Sequence, residues 1–108
     1  MDTNTVEHRF DGLARDLVGI DDVSVGSGRG FGSGTLQVNG RIFAMVTHGR
    51  FVVKLPSTRV AELIAVGDCS PFDAGKGKPM KEWAVVGEHC SDAVWQGLAK
   101  EALSFVSK

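Results

Sequence analysis

Three lysines in one glycine-containing loop carry the most localised charge of the sequence. Lys76, Lys78 and Lys81 lie between Asp73 and Glu82, and the intervening glycines free backbone amides for hydrogen bonding. Cationic side chains beside free amides can bind a phosphate or a carboxylate. Because the two acidic residues weaken the field, the pattern favours a solvated loop, and a small-anion or nucleic-acid site is the alternative.

Metal donors are present in the sequence but are scattered. The candidates are His8, His48, His89, Cys69 and Cys90. Only His89 and Cys90 are neighbours, and adjacent residues rarely both ligate one ion. The cysteines are too far apart for a C-x-x-C motif, and in a reducing compartment we expect both to be free thiols. The sequence therefore predicts neither a metal nor another cofactor.

The common nucleotide-binding and catalytic motifs are missing from the sequence. The glycines between Gly26 and Gly34 fit no register of G-x-G-x-x-G, and Pro79 follows Lys78 where a P-loop needs a magnesium-binding Ser or Thr. No G-x-S-x-G elbow surrounds Ser27 or Ser33. We therefore predict that the chain is not an enzyme.

Length and composition are those of one small globular domain. The chain has 108 residues, of which 43% are hydrophobic, and a formal net charge of −1. One domain over residues 1–108 is expected at this size. The near-zero charge gives no global attraction for nucleic acid or anionic lipid, and no apolar run approaches the roughly 20 residues of a membrane helix. We predict a cytoplasmic protein that does not associate with a membrane.

Hydrophobic spacing and turn residues divide the chain into helices and strands. Helices are predicted over residues 6–17, after an N-cap at Ser57 with an end at Gly67, and after an N-cap at Ser91. Strands are predicted at residues 23–25, 35–38, 41–47, 50–55, 70–72 and 82–86, while residues 26–34 are a loop or a bulged strand. The predicted fold is α+β: an opening helix, an antiparallel sheet of three to four strands, a helix, two strands and a C-terminal helix.

Two-residue turns at Asn39-Gly40 and His48-Gly49 predict which residues share a face of the sheet. They pair Leu36 with Phe43 and Val46 with Phe51. The predicted core face consists of Ile42, Ala44, Val46, Phe51, Val53 and Leu55. The opposite face carries five apolar residues beside four polar or charged ones: Leu36, Val38, Phe43, Met45 and Val52, with Arg41, Thr47, Arg50 and Lys54. Because that face is more apolar than a solvated face requires, we expect a partner to cover it.

Several short strings carry a resemblance to a known family. They are GFGSG at residues 30–34, NGRIFA at 39–44, VVKL at 52–55, PF at 71–72 and GKGKPM at 75–80, followed by the strand that contains Trp83. Together they resemble the TfoX N-terminal domain family, and the MmcQ/YjbR-like family is a related alternative. The resemblance implies an α+β fold shared with secretion-chaperone-like domains, and it supplies no catalytic motif.

The predicted function is a non-catalytic protein-interaction or dimerisation module with a regulatory role. The partner is a second copy of the chain or another protein. Leu36, Phe43, Met45 and Val52 are the predicted interface residues, and Trp83 could line a groove or an interface on the last strand. The alternative is an accessory nucleic-acid or small-anion binder that uses Lys76, Lys78 and Lys81.

Overall fold

Helices and strands alternate in blocks along the chain. The computed structural model describes residues 6–19, 23–27, 34–47, 49–72 and 80–107. In chain order the elements are α1 (Val6–Val18), β1 (Val23–Ser27), β2 (Gly34–Val38), β3 (Arg41–Thr47), β4 (Arg50–Lys54), α2 (Ser57–Ala65), β5 (Cys69–Phe72), β6 (Met80–Val86) and α3 (Asp92–Val106). This arrangement confirms the predicted α+β class.

The six strands form one sheet in which all neighbours are antiparallel. Their order across the sheet is β1-β2-β3-β4-β6-β5, so β6 inserts between β4 and β5. The two edges are β1 and the short β5, which contains Pro71. A proline suits an edge strand because it has no amide hydrogen to contribute to a ladder.

Most of the predicted turns and caps are present. Asn39 and Gly40 have φ values of 53° and 80°, as a type I′ turn requires, and Gly67 takes φ 87° after α2. Ser91 caps α3 by accepting a hydrogen bond from the Val94 amide at 3.2 Å. The predicted cap at Ser57 is wrong: Pro56 occupies the N-cap position, and Ser57 begins the helix.

A β-bulge in β3 changes the face on which Leu36 and Phe43 lie. Val38 pairs with Arg41, but Leu36 pairs with Ala44 and not with Phe43, because β3 carries one extra residue there. Leu36 and Phe43 are both fully buried in the core cluster on the helix side of the sheet. The prediction that these two residues lie on the opposite face is therefore wrong.

The same bulge moves two further residues relative to the prediction. Val38 joins the core cluster, whereas Ile42 pairs with Gln37 and is half-buried outside that cluster. Beyond the bulge the predicted register of the second hairpin is confirmed, with Val46 opposite Phe51 and Ala44 opposite Val53. The inserted residue thus exchanges the two faces for residues on the Asn39-Gly40 side of the bulge, and it leaves the faces of the second hairpin as predicted.

All three described helices pack on one face of the sheet, and Phe51 lies beneath two of them. The Phe51 ring is stacked on Trp95 of α3 with centroids 4.4 Å apart, and it meets Phe10 of α1 at 5.9 Å. Helix α2 covers β5 and β6, and Arg59 joins it to Glu101 of α3 through a 2.9 Å ion pair. The core therefore lies between the sheet and a single layer of helices.

The helices are too short or too polar for a bilayer. Within the ranges that the structure describes, none of them combines the length and the apolar character needed to cross a membrane.

Candidate functional site

The sheet face that points away from the helices, here called the outer face, has an apolar centre. Side-chain alternation places Met45, Val52 and Val85 side by side on it, since Met45 pairs with Val52 and Val52 pairs with Val85. Val52 is fully buried, and Met45 and Val85 are half-buried. Ile42 and Trp83, both half-buried, extend this apolar row toward one end of the sheet.

Three of the five predicted interface residues therefore lie together. Met45, Val52 and Trp83 occupy the outer face, whereas the bulge places Leu36 and Phe43 in the core, where no partner can reach them. The remaining predicted anchors are Met45 and Trp83, because Val52 has no exposed area of its own. Sequence reasoning missed Val85, whose signal was its position two residues after Trp83, which puts both side chains on one face of the last strand.

Positive charges surround the apolar centre. Arg50 and Lys54 lie at the two ends of β4, and the Lys54 ammonium is 5.6 Å from the centroid of the Trp83 ring. Among the described strand residues the only acidic one is Glu82, which precedes Trp83 on β6 and lines the same cavity as Trp83 and Lys54. Arg50 and Lys54 therefore contribute positive charge to the outer face, and Glu82 lies near Lys54 at its edge.

Of the predicted anion-binding lysines, one is described. Lys81 is exposed on β6, two residues before Trp83, and Lys76 and Lys78 lie outside the described residues. The loop that could form an anion site thus leads directly into the strand that carries Trp83.

A second group of chemically competent side chains lies where β5 begins and β6 ends. One oxygen of the Asp68 carboxylate, a ring nitrogen of His89 and the Cys90 sulfur all lie within 4.8 Å of one another. The Cys90 sulfur is 3.8 Å from His89 Nε2. Of these residues, Cys90 is buried, Asp68 is half-buried and His89 is exposed. We call this group the Asp68–His89–Cys90 cluster.

Backbone hydrogen bonds hold the cluster together. The Gly87 amide donates to the Asp68 carbonyl at 2.8 Å, and the Cys90 amide donates to the Gly87 carbonyl at 3.1 Å. These bonds extend the β5–β6 pairing past Cys69 and Val86 and then turn the chain back toward Asp68. Residues that are 20 or so positions apart in sequence are thereby neighbours in space.

Arg9 of α1 fixes the loop that carries His89 and Cys90. Its guanidinium donates to the Glu88 carbonyl at 2.9 Å, to the Cys90 carbonyl at 2.6 Å and to the Asp92 carboxylate at 2.7 Å. The same guanidinium lies 3.7 Å from the centroid of the Trp95 ring. Trp95 in turn donates from its indole nitrogen to the Gly87 carbonyl at 3.0 Å.

Both cysteines are free thiols, as predicted, and both are buried. Burial, with smaller contributions from the neighbouring Cys90 and Asp68, raises the pKa of Cys69 to about 12. Burial also raises the pKa of Cys90, with a second contribution from Asp68 and opposing ones from the Gly87 backbone and Arg9. Both thiols are therefore protonated at neutral pH when no cation is bound.

The sequence predicts two members of the cluster as donors, but it also predicts that they do not share an ion, and it does not indicate the third. His89 and Cys90 were recognisable as neighbouring donors, and the structure adds Asp68. The other predicted donors are not part of the cluster: Cys69 lies beside Asp68 on β5, His8 is exposed on α1, and His48 is outside the described residues.

Comparisons with protein-family models, with curated proteins and with solved structures find no match to this chain.

Proposed function

We propose that this chain is a non-catalytic self-association module in which the outer faces of two copies pack against each other. The observation that carries the proposal is the apolar row of Met45, Val52 and Val85 on a sheet whose described helices all lie on the opposite side. Apolar residues on a sheet face are stabilised when a second layer covers them.

The distribution of charge is compatible with a second copy as the occupant. Arg50 and Lys54 flank the apolar centre along β4, so two copies related by a twofold axis can join their centres while the cations stay in solvent at the rim. The Lys54 ammonium already lies near the Trp83 ring, which gives its charge a favourable neighbour within its own chain.

The available area sets the expected strength of the dimer. Six strands spaced by about 4.8 Å and about 17 Å long give a projected face of roughly 400 Å² per copy. A standard interface buries about 800 Å² of accessible surface per partner. Because side chains project from the sheet, the accessible area of the face exceeds its projected area and approaches the lower end of that size class. A small interface is typical of a weak complex, so we expect a dimer that dissociates on dilution.

Analytical ultracentrifugation tests this proposal. The wild type should sediment with twice the 11.5 kDa mass of the chain. Met45→Lys or Val85→Lys should give the monomer, because each places a charge in the apolar centre. Val94→Lys is the matched control, since Val94 is 37% exposed on α3 and lies away from the outer face. A wild type that is monomeric at tens of micromolar would contradict the proposal.

A second candidate function is binding of single-stranded nucleic acid or a small anion by the same face. It is favoured by the grouping of Trp83 with Lys54 and the exposed Lys81, because stacking on an aromatic ring beside cations suits an unpaired base and its phosphate. Retention on single-stranded DNA should then weaken with salt and fall when Lys76, Lys78 and Lys81 are changed together to Ala. Absence of wild-type retention at low salt would exclude the nucleic-acid function.

We further propose that the chain is similar to the TfoX N-terminal domain family and has the secretion-chaperone-like arrangement. We also propose a regulatory role and a cytoplasmic location. The element order of α1, four strands, α2, two strands and α3 supports the proposed arrangement. A regulatory role would follow from self-association if the dimer is the form that meets a further partner.

A further inference from the structure

We propose that Asp68, His89 and Cys90 bind a zinc ion, with the fourth coordination position open to solvent. A carboxylate, an imidazole and a thiol are the three donor types that zinc takes from proteins. Their ligand atoms already lie within 4.8 Å of one another. This inference concerns the place where β5 begins and β6 ends, and it does not depend on what covers the outer face.

The spacing of the sulfur and the ring nitrogen is close to that of a tetrahedral site. Zinc bonds of about 2.3 Å to sulfur and about 2.0 Å to nitrogen place the two donors about 3.5 Å apart at a tetrahedral angle. Cys90 Sγ and His89 Nε2 are 3.8 Å apart. Both donors can therefore ligate one ion after a small closing movement, although they are adjacent in sequence.

Gly87 leaves the space that the His89 ring occupies. A Cβ atom at this position would lie 2.3 Å from His89 Cε1, 2.5 Å from Nδ1 and 3.1 Å from the Asp68 carbonyl oxygen. Real Cβ atoms do not approach other atoms so closely, so any larger residue would displace the ring. The absence of a side chain at Gly87 thus allows the imidazole to lie beside the Asp68 and Cys90 side chains.

The burial of the donors gives the ion a path and an open position. His89 is exposed and Asp68 is half-buried, while Cys90 lies at the inner end of the cluster. An incoming ion meets the imidazole first and then the thiol, which donates to the Asp68 carbonyl at 3.5 Å before binding. On binding, the S–H bond breaks, the zinc–sulfur bond forms, and the proton passes to solvent.

Zinc titration of the reduced, tag-free chain tests the proposal, with calorimetry as the readout. The wild type should bind one zinc ion, and His89→Gln and Cys90→Ser should each weaken binding by at least about tenfold. Cys69→Ser and His8→Gln are matched controls that remove a donor of the same type outside the cluster. Both should bind zinc as the wild type does. Because His89 is exposed, its replacement should leave the fold intact.

Cobalt substitution separates cluster binding from adventitious binding. A Co²⁺-loaded wild type should show a thiolate-to-cobalt charge-transfer band that disappears in Cys90→Ser and persists in Cys69→Ser. Gly87→Ala should weaken zinc binding while keeping all three donor side chains, because the added methyl group displaces the His89 ring. No saturable zinc binding by the wild type, or equal binding by the wild type and His89→Gln, would overturn the proposal. Loss of the cobalt band in Cys69→Ser but not in Cys90→Ser would also overturn it.

Discussion

Replacing Arg9 with alanine removes the contacts that join α1 to the loop before α3. The guanidinium donates to two backbone carbonyls, those of Glu88 and Cys90, at 2.9 and 2.6 Å. It also forms an ion pair with Asp92 at 2.7 Å and lies over the Trp95 ring at 3.7 Å. The Arg9 side chain is 14% exposed, so little of this arrangement is open to competing water.

The size of the effect follows from the burial of each partner. Asp92 is 84% exposed, so this ion pair contributes only about 0.2–1 kcal/mol. Hydrogen bonds from a charged donor contribute about 1.5–3 kcal/mol each, and a cation–π contact about 0.5–2 kcal/mol. Since contacts of one side chain are not additive, Arg9→Ala should lower the free energy of unfolding by about 2–4 kcal/mol.

Urea unfolding followed by circular dichroism measures this loss, and Arg59→Ala is the matched control. Arg59 also makes three side-chain contacts, at 2.9 to 3.2 Å, but its partners Glu62 and Glu101 are exposed carboxylates. Its removal should cost less than about 1 kcal/mol. Asp92→Asn should also be mild. If Arg9→Ala lowers the free energy of unfolding no more than Arg59→Ala does, the contacts of Arg9 with the two carbonyls do not stabilise the fold.

Two further changes test the core. Burial raises the pKa of Cys69 from 9.0 to about 12, so above about pH 9 the folded chain holds a proton that the unfolded chain releases. The free energy of unfolding should therefore fall above about pH 9, by up to ~1.4 kcal/mol per pH unit. Urea unfolding at several pH values measures this slope, and Cys69→Ala should reduce it. An unchanged slope would contradict the assignment. Phe51→Leu should lower the free energy of unfolding by about 1–2 kcal/mol because it removes ring contacts to Phe10 and Trp95. Phe105→Leu, at a half-buried position, is the control. A smaller loss for Phe51→Leu than for Phe105→Leu would be inconsistent with a central role of Phe51 in the core.

The turns of this sheet were predictable because their chemistry is local. Asn39-Gly40 tolerates positive φ at both positions, and this sets Val38 opposite Arg41 without reference to the rest of the fold. The bulge was not predictable in the same way. Its extra residue, Phe43, has a strong preference for strands, and nothing in its immediate sequence marks an interruption of the ladder. Burying Phe43 and Ala44 together under the helices is a tertiary effect.

The Asp68–His89–Cys90 cluster depended on a register that the sequence leaves open. Both strands of the β5–β6 pair were expected, but the segment between them is too long for turn type to fix which residues face each other. Once Cys69 pairs with Val86, Asp68 must lie beside Gly87, and the turn to Cys90 completes the cluster. The signal was therefore present as an antiparallel pair, and the missing information was its alignment.

The apolar centre of the outer face and the Asp68–His89–Cys90 cluster consist of different residues, so the two proposals can fail separately. Met45→Lys should abolish the dimer and leave zinc binding unchanged, whereas His89→Gln should do the reverse. Strand β6 reaches both places, since Val85 lies on the outer face and Gly87 follows the end of the strand. If zinc altered the dissociation constant of the dimer, β6 would be the element that couples them, and by linkage dimerisation would change the zinc affinity by the same factor.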